Sequence, residues 1–174
     1  MAVQRDIFVL QCSIGCRVGD LIAMTRNNLQ EGFIHYIAGK TKGETPKEIR
    51  VPLSPSALAL IAKYKEPMTD GRLMPFISEV KYNEALKEIF RTAGIDRFVT
   101  RLNPTTGKPE QVKICDIASS HMARRTFCGN LYKKVQDPNL VGSLSGHAEG
   151  SKAFARYRDI DEDLKRSLID QMGY

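Results

Sequence analysis

His121-Met122-Ala123-Arg124-Arg125-Thr126-Phe127 opens a stretch that runs on through Ser145-Gly146-His147 to Phe154-Ala155-Arg156-Tyr157. His121 and Arg124 have the spacing that places two side chains on one face of a helix. His147 follows a glycine that reads as a helix end, and Tyr157 stands on a short amphipathic segment soon after. The chain has 3 histidines, and two of them fall in this window. Cationic donors, imidazoles and a hydroxyl are the groups a phosphodiester-transfer site needs when it works without a metal.

Around the window the periodicity is mostly helical. Residues 120–134 form a helix started by the Ser119-Ser120 cap signal, with Ala123, Phe127 and Leu131 on its buried face. His121, Arg124 and Cys128 lie on the adjoining face, and Arg125 projects away from it. Asp137-Pro138 restarts a helix by the cap-then-proline rule, and Gly146 ends it. Further helices are expected at 151–157 and 161–172, the last with an apolar face of Leu164, Leu168, Ile169 and Met172.

Upstream, residues 3–12 suggest a first helix and Gly15 its terminator. A second helix is expected over 18–24, with Arg17 at the joint, where it is either a surface charge or a site residue. Residues 32–37 and 49–53 read as paired strands around a polar, glycine-punctuated loop carrying Lys40, Lys42 and Lys47. Lysines in such a loop are ordinarily solvated charge. Ser54-Pro55 caps a helix over 56–64, residues 67–75 cross irregularly, and 78–93 form a helix with Leu86, Ile89, Phe90 and Ala93 inward. A second hairpin pairs 98–102 with 111–115. The fold class is therefore mainly α with small antiparallel β-hairpins (α+β).

Composition excludes several classes. A chain of 174 residues, 42% hydrophobic and 26% charged, fits one domain with a real core. No apolar run approaches a membrane span, so no membrane partner is expected. Cys12, Cys16, Cys115 and Cys128 have no CxxC spacing and read as reduced, mostly buried thiols. The net charge of +6, spread along the chain, favours a polyanion partner. No carboxylate cluster suggests a two-metal nuclease. The abrupt start, Met1-Ala2 leading directly into the periodic segment, reads as a domain excised from a longer protein.

Taken in order, these residues resemble the catalytic domain of the tyrosine recombinases, or phage-type integrases. The matching elements are Ser13-Ile14-Gly15-Cys16-Arg17 leading to Asp20-Leu21, then Gly39-Lys40-Thr41, His121-Met122-Ala123-Arg124, Gly146-His147 and Tyr157. The phrasing from Gly146-His147 through Lys152-Ala153-Phe154 resembles integrases of bacterial mobile elements. Asp20 stands where many members carry Glu, and the hairpin is longer than usual, so Lys42 stays a rival to Lys40 as the catalytic lysine. The amino-terminal DNA-clamping domain that members normally carry is not within these residues, and residues 1–174 correspond to the single catalytic domain.

The resemblance implies that Tyr157 attacks a DNA phosphodiester, giving a 3′-phosphotyrosyl enzyme and a free 5′-hydroxyl, and that rejoining needs no ATP, metal or small-molecule cofactor. Arg17 and Arg124 would hold the equatorial oxygens of the phosphorane through charge-assisted hydrogen bonds. His121 is the candidate base, Lys40 the candidate acid for the leaving oxygen, and His147 a phosphate ligand. The implied partner is double-stranded DNA, bound by a homotetramer in which the end of one protomer docks on its neighbour. The implied setting is the bacterial cytoplasm, at the nucleoid when acting. Two alternatives share this pattern: a type IB topoisomerase relaxing strands alone, and a non-catalytic DNA-binding domain that kept the fold.

Overall fold

A computed structural model describes residues 1–39, 48–64, 71–147, 166 and 169–172. Lys40, Lys42, Tyr157, Leu164, Leu168 and the helix expected at 151–157 lie outside the described residues.

Helix α1 (Ala2–Ile14) is the hub. It packs most extensively against α5 (Ser120–Val135) and also meets α3 (Pro55–Lys63) and α4 (Glu79–Thr92). Ile7, Leu10 and Ile14 recur at helical spacing and are buried at this junction. The short α2 (Val18–Ile22) follows, ending earlier than the sequence suggests, with Leu21 buried. A three-stranded antiparallel sheet β1 (Leu29–Gln30), β2 (Phe33–Ile37) and β3 (Glu48–Pro52) lies beside these helices, with Ile34 set against Val51 and Tyr36 against Ile49. Alternation along β2 and β3 turns Ile34, Tyr36, Ile49 and Val51 to the core. β1 is too short to leave a periodic signal.

Ser54 caps α3 as expected, its hydroxyl accepting from Ala57 N. An ion cluster fixes α3 to α1: Asp6, buried, accepts from Lys63 Nζ at 2.6 Å, Tyr64 Oη at 2.8 Å and Arg5. In α4 the buried line is Tyr82, Leu86 and Phe90, a pure i, i+4, i+8 row; Ala93, expected inward, is exposed at the helix end. The second hairpin pairs β4 (Phe98–Leu102) with β5 (Pro109–Lys113). The expected strand at 111–115 is thus displaced, because Ile114–Ile117 winds into a 3₁₀ turn that buries Cys115. At the start of α5 the serine cap does not form. Ser119 makes no side-chain cap bond, and the Ser120 amide donates to Asn83 Oδ1 of α4 at 2.8 Å.

Finally, α6 (Pro138–Ser145) is capped by Asp137, whose carboxylate accepts from Asn139 N and Leu140 N, and it packs on α5 and β3. Of the apolar face expected near the end of the chain, Ile169 and Met172 are exposed. All four cysteines are free, three of them buried. Among the described residues no helix is long and apolar enough to cross a membrane.

Candidate active site

The centre is Arg124, whose residue is only 3% exposed. Its Nη1 donates to Gly15 O at 2.7 Å and to Ser145 O at 2.5 Å, and its Nη2 lies 3.1 Å from both ring nitrogens of His147. One guanidinium thereby ties the C-terminal ends of α1 and α6 to α5. Burying a guanidinium is tolerable only with such partners.

Two glycines make this convergence possible. Gly15 has φ +68°, the left-handed region open to glycine, and a Cβ there would meet the Phe127 ring at 2.1 Å. Gly146 has φ +70°, and its Cβ would lie 2.3 Å from Ile49 Cδ1 on β3. Each turn therefore presses bare backbone against a neighbour, delivering a carbonyl or an imidazole to Arg124. The Gly146 and His147 amides both donate to Gly142 O, which closes the end of α6.

Arg17 follows the Gly15 turn by two residues. Its backbone is extended (φ −71°, ψ 154°) and it occupies the N-cap of α2. The turn before it is held by a buried relay in which Tyr82 Oη donates to Gln11 Oε1 at 3.1 Å and Gln11 Nε2 donates to Cys16 O at 3.2 Å. Arg17 Nη1 is buried and finds no hydrogen-bond partner among the described residues. A buried, unsatisfied cationic N–H is costly unless an anion completes it.

The electrostatics agree. Burial first, then the charges of Arg124, Arg17 and His121, lower the His147 pKa to about 4, so its ring is neutral at pH 7. Tyr36 lies in the same field: burial, aided by Cys16 and Asp20 and opposed by Arg124 and Arg17, pushes its phenol up, and its hydroxyl is a second buried group without a partner among the described residues. Held protonated, Tyr36 is a donor and not a nucleophile. Asp20, which the sequence marked only as an acid after Arg17, accepts from Gly39 N at 2.9 Å and so pins the strand end that leads to Lys40.

The structure brings Arg17, Arg124 and His147 together, with His121 exposed at the start of α5 and near enough to bear on His147. Lys40 and Tyr157 fall outside the described residues. Sequence reasoning missed Ser145, Tyr36, the Gln11 relay and the two carbonyls that hold Arg124. Only Tyr36 left a signal, sharing the period-2 face of Ile34. Among the described residues no group of three or more His, Cys, Asp or Glu is placed to hold a metal ion.

Two guanidinium groups thus bear on one imidazole on a helical core, and one buried guanidinium N–H is left unsatisfied among the described residues. The phage integrase family model matches residues 2–163, and the chain belongs to that family. Its fold is that of the tyrosine recombinase catalytic core. The XerH site-specific recombinase in its post-cleavage complex with a palindromic difH substrate is similar at 18% identity and TM-score 0.66, over 97% of this chain and 45% of that one. A lambda integrase (75-356) dimer bound to a COC′ core site gives 18% identity and TM-score 0.65, covering 92% and 53%. A lambda integrase tetramer on a Holliday junction gives 17% and 0.61, covering 88% and 41%. The chain thus spans about half the length of these relatives. No curated protein sequence matches it.

Proposed function

We propose that the chain is the catalytic domain of a site-specific DNA recombinase of the integrase type. The observation that carries this reading is the contact of Arg124 with His147, with Arg17, whose buried Nη1 is unsatisfied among the described residues, near enough to bear on the same ring. Tyr157 supplies the nucleophile. Its oxygen attacks the phosphorus, the bond to the 5′-oxygen breaks, and the products are a 3′-phosphotyrosine and a 5′-hydroxyl. Arg17 and Arg124 neutralise the charge that gathers on the equatorial oxygens, where removing one preorganised donor costs on the order of 3 kcal/mol of barrier. His121 accepts the phenol proton, His147 binds the phosphate, and Lys40, on the hairpin held at Gly39 by Asp20, protonates the leaving oxygen. Rejoining is the reverse attack, so no ATP is consumed.

The substrate in this reading is duplex DNA, gripped mainly through phosphates, with binding that weakens steeply as salt rises. A homotetramer on DNA is supported by the lambda integrase tetramer, and a DNA-clamping domain elsewhere in a longer protein by the share of its relatives that this chain spans. The compartment that follows is the cytoplasm, at the nucleoid when acting.

The test is incubation with a nicked suicide duplex followed by a denaturing gel. A covalent protein–DNA adduct that survives chelators and disappears in Tyr157→Phe is expected. An adduct that persists in Tyr157→Phe, or activity abolished by chelation, overturns the assignment.

A further inference from the structure

Ser145 is fully buried, at 0% exposure, and its hydroxyl touches two groups at once: Val141 O at 2.7 Å and His147 Nδ1 at 2.7 Å. A hydroxyl has one proton to give. With that proton on the Val141 carbonyl, the oxygen must accept from Nδ1–H, and Nε2 then keeps its lone pair. Arg124 Nη2, which can only donate, lies 3.1 Å from both ring nitrogens, and with Nδ1 protonated it is the Nε2 lone pair that can accept from it. The opposite tautomer would leave the Ser145 oxygen facing the Nδ1 lone pair at 2.7 Å unless the hydroxyl turned its proton away from Val141 O. One proton arrangement therefore satisfies Val141, Ser145, His147 and Arg124 together.

We propose that Ser145 is a positioning residue that holds His147 as the Nδ1–H tautomer and reserves Nε2 as the ring atom that meets the scissile phosphate. The functional half of this inference rests on the recombinase reading above; the tautomer half stands on the geometry alone. Among the described residues, the charged and titratable groups that bear on the ring are Arg124 and His121 from α5 and Arg17 from the start of α2, while β3 presents the apolar Ile49 to the turn at Gly146. A neutral ring with a bare Nε2 cannot donate to a phosphate oxygen. Nε2 becomes a donor by taking one proton from solvent as the phosphate enters, and Nδ1–H stays on Ser145 throughout. The imidazolium formed carries both protons, each with its own acceptor, and no other group changes charge.

Long-range ¹H–¹⁵N correlation of the His147 ring in the DNA-free chain at neutral pH tests this directly and needs no variant. The expected signature is a protonated Nδ1 and an unprotonated Nε2. A ring protonated at Nε2 overturns the proposal. Ser145→Ala is expected to lose the single-tautomer signature and to slow cleavage of the nicked duplex about tenfold or more, with DNA affinity nearly unchanged. Ser145→Thr, which keeps the hydroxyl, is expected to restore both. A folded Ser145→Ala chain with the tautomer intact, or one that cleaves at the wild-type rate, also overturns it. Failure of the wild-type chain to form any adduct would instead count against the recombinase reading, and leaves the ring signature as the judge of the tautomer.

Discussion

Asp20 Oδ1 accepts a hydrogen bond from the Gly39 amide at 2.9 Å, joining the first turn of α2 to the end of β2. The bond sits at the surface, so it contributes little to global stability, roughly 1 kcal/mol at most. Its importance is positional, because Gly39 precedes Lys40 and α2 begins beside Arg17. Asp20→Ala is expected to slow cleavage several-fold while leaving the urea midpoint nearly unchanged, and Asp20→Asn, which keeps an acceptor, to recover most of the rate. A large midpoint shift with an unchanged rate would show the bond to be purely structural.

Arg124 and Arg17 should separate fold from chemistry. Arg124→Ala strands the carbonyls of Gly15 and Ser145, each costing about 1–3 kcal/mol when left unpaired. Arg17→Ala removes a donor that has no partner among the described residues, so stability should hold within about 0.5–1 kcal/mol. Its cleavage rate should nevertheless fall by roughly 10²–10³. Denaturant titration beside single-turnover cleavage checks both. Equal stability losses for the two variants would contradict the division.

The Asp6 cluster predicts an acid limit. Its hydrogen bond from Lys63, then those from Tyr64 and Arg5, outweigh burial and lower its pKa from 3.8 to about 2. A folded pKa depressed in this way adds stability that is complete above pH 4 and is lost as pH falls toward 2. Asp6→Asn should therefore be less stable than wild type at pH 7, with the gap closing between about pH 4 and pH 2. Thermal melts across that range would show it. A gap independent of pH would rule out the linkage.

Gly146→Ala asks for both a left-handed backbone at a non-glycine residue and room beside Ile49. The first costs roughly 1–2 kcal/mol, and the second displaces the tip of a core side chain. A lower melting temperature and a weakened His147 contact to Arg124 are expected. Pairing it with Ile49→Val should recover part of the steric cost but none of the backbone cost. Full recovery would show φ to be unimportant there.

Much of this site could be read from the chain because its key residues sit at punctuation. Gly15 before Arg17 and Gly146 before His147 mark helix ends, and His121 and Arg124 keep helical spacing; such signals are local and survive without tertiary knowledge. What stayed hidden depends on partners distant in sequence. The Ser120 amide at the start of α5 is met by Asn83 from another helix, a partner 37 residues away that no local cap signal announces. The residues 111–115 carry strand propensity, but burial of Cys115 ends the strand at Lys113. Nothing near Ser145 announces that its hydroxyl will be caught between a carbonyl and an imidazole.

The anchoring of Arg124 by Gly15 and Ser145 has a consequence for how the protein matures. Those two carbonyls are contributed by opposite ends of the sequence, and neither can reach the guanidinium until α1, α5 and α6 have docked. The group that would hold the DNA phosphate is thus oriented only by the finished tertiary structure. A chain in which these helices have not docked therefore holds no oriented Arg124, and in the recombinase reading it would have no competent cutting centre.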